Sequence, residues 1–401
     1  MQFSSRCDFS VQDNDLALAR RDRMSSGLPV YDLSASNPTR VGLVHDPALL
    51  AAAFGEAANA RYFPDPRGIP AARRAVADHV NARGGVIDPD RLYLCASTSE
   101  GYGWLFKLLC DPGDAVLVPR PEYPLFDHLA GLESVRTLGY PLEYVHPSGW
   151  RIDVEHIEAA LRQPGGDRIR AVVLINPNNP TGSYVARAER EKIVGICAEH
   201  GIALIVDEVF FGFPLEPRAD RASFLGESRV PCFVLDGLSK RLCLPQAKLG
   251  WIALSGPERG MEDAAARLDI IADAYLSAGT PVMNALPALF AAEAAIVAKV
   301  TERIHASMKA YRNALDWPGS PHRILRCEGG WTALVESPRY LPEEDIALRL
   351  LREEGLSVQP GYFFDMEHEP HFAFSLILEP EKAFEWAGMY RRFFDRLAAE
   401  S

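Results

Sequence analysis

Three polar side chains with complementary chemistry each follow a run of Val, Ile and Leu residues. They are Asn179, Asp207 and Lys240. A lysine can form an imine with an aldehyde, a carboxylate can hold a pyridine nitrogen protonated, and an amide can donate a hydrogen bond to a phenolate. Taken alone, each residue is also consistent with a turn, a helix cap or a surface lysine. Together they indicate a site for a ring that carries an aldehyde, a basic nitrogen and a phenolic oxygen.

A short hydroxyl-rich segment, Ser97-Thr98-Ser99, lies between another apolar run and a segment with helical spacing. The start of a helix binds anions, because free backbone N–H groups and the helix dipole both point outward there. Taken alone, the segment is more simply interpreted as a helix N-cap. Beside the other three residues, it predicts a phosphate site.

Six apolar runs supply the strands that must position these residues. They are Arg91–Cys95, Ala115–Val118, Ala171–Ile175, Ile202–Val206, Cys232–Asp236 and Leu249–Leu254. Longer segments, several with helical spacing, separate most of these runs, and the alternation is typical of a mainly parallel sheet in an α/β domain. Ligands of such sheets bind at the carboxyl ends of the strands, so the segments after these runs are expected to meet at one edge.

The length of 401 residues predicts two domains. We place a large domain at residues 50–285 and a smaller α+β domain at residues 1–49 and 286–401. A long amphipathic helix is predicted from Pro287 to Trp317. Beyond it we expect a strand, a helix, a second strand and a final helix, at Gly329–Glu336, Glu343–Glu354, His371–Leu378 and from Glu381.

Composition excludes several functional classes. The net charge of −12, scattered along the chain, disfavours binding to nucleic acid and to acidic membrane surfaces. The N-terminus has no secretory signal pattern, and the apolar stretch Ala285–Val300 is interrupted by polar residues, so we expect no membrane span. Seven cysteines without a C-x-x-C spacing indicate reduced thiols in a cytoplasmic protein. His368 and His371 flank a proline, so a polar loop is expected there and no metal site.

The ordered motifs resemble one protein family. They are Asn178-Asn179-Pro180-Thr181-Gly182, Asp207-Glu208-Val209-Phe210, and Ser239-Lys240 with Lys248 eight positions later and Gly250-Trp251 after it. The set is similar to the class I/II aminotransferases of pyridoxal-phosphate (PLP) fold type I. That resemblance implies a seven-stranded-type, mainly parallel sheet with helices on both faces. It also implies PLP as cofactor and ping-pong transfer of an amino group from an amino donor to a keto acid acceptor. A PLP-dependent lyase, for carbon–sulfur β-elimination or decarboxylation, is the alternative.

The same resemblance implies a role for each matching residue. Lys240 would carry the cofactor as a Schiff base, Asp207 would pair with the ring nitrogen, and Asn179 would donate to the ring oxygen O3′. Tyr123 would stack on the ring. The phosphate would be bound by Ser97, Thr98, Ser99 and Lys248. Tyr62 matches a tyrosine that reaches the phosphate of a neighbouring subunit, which implies a homodimer with shared active sites.

Three departures from the family pattern concern the ring, the phosphate and the substrate. Phe210 lies where a tyrosine usually donates to O3′, and Lys248 replaces an arginine. Ala373 falls where the family has an arginine that binds the substrate carboxylate. Either another arginine takes that role, and we expect Arg40 with Asn37 beside it in the N-terminal loop, or the preferred substrate is an amine or modified amino acid without a free carboxylate at that place. Arg323 and Arg326 are weaker candidates.

Overall fold

The computed structural model describes residues 1–9, 13–217, 220–368 and 370–400. Its strands are β1 Tyr31–Asp32, β2 Leu92–Cys95, β3 Ala115–Arg120, β4 Arg136–Val145, β5 Gly149–Ile152, β6 Ile169–Ile175, β7 Ala203–Asp207, β8 Cys232–Gly237, β9 Gly250–Ser255, β10 Arg323–Ile324, β11 Thr332–Glu336, β12 Leu356–Ser357, β13 Gln359–Pro360 and β14 His371–Ser375. All six apolar runs of the sequence are therefore strands.

A sheet of eight strands, in the order β2-β9-β8-β7-β6-β3-β4-β5, forms the centre of the molecule. Neighbouring strands from β8 to β4 are parallel, whereas β9 is antiparallel to both of its neighbours and β5 is antiparallel to β4. The predicted α/β class is confirmed, with one strand more than the seven expected. The extra edge strand belongs to the β4–β5 hairpin, which sequence reasoning missed. These two strands are largely half-exposed and lack a continuous apolar run.

Helices cover both faces of this sheet. The helices are α1 Asp15–Ser25, α2 Pro47–Phe54, α3 Pro70–Asn81, α4 Thr98–Leu109, α5 Leu125–Leu132, α6 Val154–Arg162, α7 Arg187–His200, α8 Leu238–Arg241, α9 Glu258–Tyr275, α10 Thr280–Ala291, α11 Glu293–Leu315, α12 Glu343–Arg349 and α13 Pro380–Glu400. Alternate residues of the central strands enter two separate apolar cores, as Val116 and Leu117 of β3 do. The core around Val116 contains residues of α4, α5 and α9, and the core around Leu117 contains residues of α3, α7 and α10.

The predicted single helix from Pro287 to Trp317 is wrong. Pro287 lies inside α10, and the chain bends by 68° before α11 begins at Glu293. Glu293, the first residue of α11, is buried and binds His79 and Arg83 of the α3 region. These contacts hold the start of α11 against α3. Within the described residues, no single helix is long and apolar enough to cross a membrane, and α10 with α11 meets that test only as a bent pair.

A second sheet, with the antiparallel order β10-β11-β14-β13, packs with α11 and α13. The N-terminal strand β1 pairs in parallel with β12, so the N-terminal segment is joined to the last third of the chain. The proposed division after residue 285 falls inside α10, and the domain boundaries stay a prediction.

Candidate active site

A cleft of about 370 Å³ lies at the carboxyl ends of β6, β7 and β8, bounded on its other side by β14 and the segment before β11. The structure brings eight of the predicted site residues together along its wall. They are Ser97, Thr98, Ser99, Tyr123, Asn179, Asp207, Lys240 and Lys248. The parallel strands explain this convergence, because each ends at the same edge of the sheet.

Lys240 lies in α8, the four-residue helix directly after β8. Burial lowers the pKa of its amine, and the negative charge of Asp207 opposes that change. The neighbouring Arg241 fixes this turn, since its Nε donates to the buried carboxylate of Asp236 at 2.8 Å. The amine is therefore held in the cleft and its positive charge is destabilised, as a nucleophilic lysine requires.

Asp207, the last residue of β7, presents its carboxylate to the same cleft. Its Oδ1 accepts a hydrogen bond from the Val209 backbone N–H at 3.1 Å, and its Oδ2 accepts one from the Tyr102 hydroxyl at 3.3 Å. Burial raises the pKa of Asp207 to about 6, and the charge of Asp236 acts in the same direction. Tyr102 is a site residue that sequence reasoning missed. Its spacing of four residues from Thr98 places both on one face of α4, and that signal was available.

The N-terminus of α4 forms one end of the cleft. Ser97 caps the helix, since its hydroxyl accepts from the Glu100 N–H at 3.2 Å, and it also lines the cleft. The N-cap interpretation is confirmed, and the phosphate site stays a prediction. A Cβ atom on Gly250 would lie 3.0 Å from the Thr98 backbone nitrogen, and this close approach requires a glycine. Lys248 has a left-handed backbone, with φ of 54°, and lines the cleft near this helix end.

Asn179 and Tyr123 lie on anchored loops. The Asn178 side chain fixes the turn around Asn179. Its Oδ1 accepts from Thr181 within the turn, and its Nδ2 donates to the Pro121 carbonyl of the neighbouring loop at 3.2 Å. The Glu122 N–H, next to Tyr123, donates to the Phe364 carbonyl at 3.0 Å. Arg120 binds Glu122, and at 3.2 Å it also binds Asp365. The loop that carries Tyr123 is thus tied to the segment before β14.

Two aromatic rings lie beside the Lys240 amine. The Nζ atom is 5.6 Å from the ring centroid of Phe210 and 5.5 Å from that of Trp331, and the two rings pack edge to face. Trp331 is a second site residue that sequence reasoning missed, since the sequence places it only within the predicted strand Gly329–Glu336. Ala373 lines the cleft from β14, as its alignment with the family arginine predicts.

Three predicted residues do not line the cleft. Tyr62 is 66% exposed, and Arg40 is also exposed, in a short 3₁₀ helix, Pro38–Val41. The Asn37 side chain caps that helix by accepting from Thr39. The other arginines considered are engaged elsewhere: Arg323 binds Glu336, and Arg326 binds Glu216. Among described residues that line the cleft, the cations are Lys240 and Lys248.

Residues 29–376 match the family described as aminotransferase class I and II. The chain belongs to this family. It is 27% identical to nicotianamine aminotransferase 1 from Oryza sativa subsp. japonica over 333 residues, which cover 78% of this chain and 64% of that protein. It is 32% identical to the S-alkyl-thiohydroximate lyase SUR1 of Arabidopsis thaliana over 231 residues, which cover 55% of this chain and 47% of that protein. The matches thus span less than two thirds of these curated relatives.

The fold is that of solved aminotransferase structures. The alanine aminotransferase from Pyrococcus furiosus superimposes with a TM-score of 0.85 at 23% identity, over 98% of this chain and 100% of that one. Class I and II aminotransferases are PLP-dependent, and PLP is the cofactor of this member of the family.

The cleft residues of this aminotransferase-family chain fit that cofactor. The N-terminus of α4, with its hydroxyls and Lys248, suits a phosphate, and Gly250 leaves its backbone uncovered. The carboxylate of Asp207 suits a protonated ring nitrogen, and the amine of Lys240 suits an aldehyde. A helix N-terminus suited to an anion, an amine and a carboxylate therefore share one cleft. They match the phosphate, the aldehyde and the ring nitrogen of PLP.

Proposed function

We propose that the protein is a PLP-dependent aminotransferase that moves an amino group between an amino acid and a 2-oxo acid by a ping-pong mechanism. One observation carries the proposal. The pKa-lowered amine of Lys240 shares a cleft with the carboxylate of Asp207 and the N-terminus of α4. The family membership supports the same reaction.

Each cleft residue has a proposed task toward the cofactor. Ser97, Thr98, Ser99 and Lys248 hold the phosphate. Asp207 pairs with the protonated ring nitrogen, Asn179 donates to O3′, and Tyr123 stacks on the ring. When bound, PLP supplies an electron-withdrawing ring that stabilises negative charge on the carbon next to the substrate nitrogen. The amine of Lys240 is the group that would move a proton between that carbon and C4′, the aldehyde carbon of the cofactor.

The substrate carboxylate needs a cationic partner in a site shielded from water. We propose Arg40 for this role, with Asn37 positioning its loop. In support, Asn37 caps the helix that carries Arg40, and residues 34–36 of the same segment line the cleft. Arg40 is exposed in the single chain and would have to turn toward the cleft when the substrate binds.

We further propose a cytoplasmic homodimer with shared active sites. Tyr62 would reach the phosphate bound by a second copy. Its 66% exposure, and that of neighbouring Phe63 at 59%, leaves an aromatic surface for that contact. All seven cysteines are free thiols, in keeping with a reducing compartment.

The half-reaction tests the proposal. Holoenzyme mixed with glutamate or alanine and no keto acid should convert its cofactor stoichiometrically to pyridoxamine phosphate and release the matching 2-oxo acid. The Lys240→Ala variant should fail to turn over, whereas Lys299→Ala, which removes an exposed lysine of α11, should retain full activity.

The lyase alternative receives support from the 32% identity to a carbon–sulfur lyase over part of the chain. A lyase would release ammonia, a thiol and a 2-oxo acid from a cysteine conjugate while its cofactor stayed in the aldehyde form. That outcome, together with no pyridoxamine phosphate from any amino acid, would refute the aminotransferase proposal.

A further inference from the structure

Tyr102 is a buried side chain in the first turns of α4 that no motif of the sequence singled out. It is 3% exposed, and its hydroxyl lies 3.3 Å from Oδ2 of Asp207. The two residues come from different elements, α4 and the end of β7, and meet at the floor of the cleft. The contact therefore links the helix that forms the anion site to the carboxylate at the opposite end.

The hydroxyl of Tyr102 can only act as the donor in this contact. Burial raises the pKa of Tyr102 well above its usual value, and the charge of Asp207 raises it further. The phenol consequently keeps its proton at neutral pH. A neutral O–H group facing a carboxylate stabilises the ionised carboxylate.

Packing fixes the direction of this donor. The Tyr102 ring meets the Phe126 ring edge to face, with 4.8 Å between centroids, and lies 6.0 Å from the Phe106 ring. Both neighbours are buried apolar rings that offer no competing acceptor. The hydroxyl is thus held toward Asp207 by the shape of the core.

The charges around Asp207 make this donor important. Burial and the nearby Asp236 favour the neutral carboxyl, whereas Val209 N–H, Tyr102 and Lys240 favour the ion. When Lys240 is uncharged, its contribution is lost. Of the three interactions that favour the ionised carboxylate, the hydrogen bonds from the Val209 N–H and the Tyr102 hydroxyl then remain.

We propose that Tyr102 is a positioning residue that holds Asp207 as an ionised, fixed carboxylate directed at the ring nitrogen of PLP. The inference rests on the proposed function, because it assigns the ring nitrogen to Asp207. It accounts for a tyrosine hydroxyl next to the buried apolar residues Leu105 and Phe106 of α4.

The test is the pH dependence of PLP affinity in Tyr102→Phe, measured by fluorescence titration of the cofactor-free protein. The phenyl ring fills the same space, so folding should be preserved. With a weaker hold on the ion, Asp207 should be protonated at higher pH, and the midpoint of the affinity profile should rise by about one pKa unit. At pH 5, below both midpoints, PLP should bind about tenfold more weakly than to the wild type, and the gap should narrow to about fivefold at pH 6 and to about twofold at pH 7.

Tyr390→Phe is the matched control. Tyr390 is also fully buried, and its hydroxyl shares a hydrogen bond of 2.7 Å with the Ser337 hydroxyl, away from the cleft. Its loss should leave the midpoint unchanged. The phosphate of PLP also titrates as the pH changes. Its contribution is the same for all three proteins, so it cancels when each variant is compared with the wild type.

A second substitution gives an opposite result if the proposal is right. 3-Fluorotyrosine at position 102 is a stronger hydrogen-bond donor than tyrosine and should lower the midpoint of the affinity profile. If Tyr102→Phe does not fold, the fluorotyrosine protein alone tests the proposal. An unchanged midpoint in both proteins would overturn the role of Tyr102. A wild-type protein that binds no PLP at any pH would instead overturn the proposed function itself.

Discussion

Replacing Asp207 by asparagine should make the cofactor-free protein more stable and abolish its function. Asp207 is an acid whose ionised form is penalised by its surroundings, since burial raises its pKa from an ordinary value near 3.8 to about 6. Asparagine removes the charge and keeps the shape. Its Oδ1 can still accept from the Val209 N–H, and its amide can donate to the Tyr102 oxygen.

The size and the pH range of the effect can be worked out from the pKa. A rise of about two pKa units corresponds to about 3 kcal/mol, which is an upper limit because the carboxylate also faces the open cleft. Below pH 4 the aspartate is protonated in both the folded and the unfolded chain, so no penalty exists. The penalty grows as the pH rises from about 4 to about 6 and is complete above that range.

Urea unfolding of cofactor-free protein at several pH values would measure this difference. Asp207→Asn should exceed wild type by up to about 3 kcal/mol at pH 8 and match it near pH 3.5, while losing tight PLP binding. Asp78→Asn, an exposed change on α3, should show neither effect. Equal stability of Asp207→Asn and wild type at pH 8 would refute the claim that the cleft penalises this charge.

Three further predictions concern the ring, the substrate and the assembly. Phe210→Tyr should move the visible-absorbance titration of the holoenzyme down by about one to two pKa units, by adding a donor to O3′, and an unmoved titration would contradict this. Arg40→Ala should raise KM for amino acids about 100-fold without changing PLP affinity, and an unchanged KM would exclude Arg40. Mixing the impaired variants Tyr62→Phe and Lys240→Ala should restore part of the activity, since a mixed dimer has one intact site. Restoration should be absent if the protein sediments as an active monomer.

The strands at the centre of the sheet could be predicted because they are buried on both faces. Their sequences, such as residues 171–175, are uninterrupted apolar runs, and the residues directly after each run lie at the binding edge. Strand β4 could not be found this way, since it is half-exposed and interrupted by Pro141 and Glu143. The bend before α11 cannot be found this way either, since a proline such as Pro287 predicts a helix start, whereas Glu293 at the break makes tertiary contacts with His79 and Arg83.

The site was predictable where residues come directly after strands, and less so where they lie within helices or on another part of the chain. Lys240 and Asp207 are placed by the sheet edge alone. Tyr102 and Trp331 reach the cleft through the packing of α4 and of the segment before β11, which depends on tertiary structure. The roles of Arg40 and Tyr62 come from the family resemblance. Their proposed contacts are with the substrate and with a second subunit, and neither is present in a single chain.

The eight-stranded sheet ends on both sides in strands of only four residues, Leu92–Cys95 and Gly149–Ile152. Short edge strands expose few unpaired N–H and C=O groups, so folded molecules have little opportunity to associate edge to edge. Inner strands such as β6 and β8 are apolar segments that can associate with other chains once unfolding exposes them. Aggregation of this protein should therefore depend on its unfolding rate, and conditions that slow unfolding should preserve it in storage.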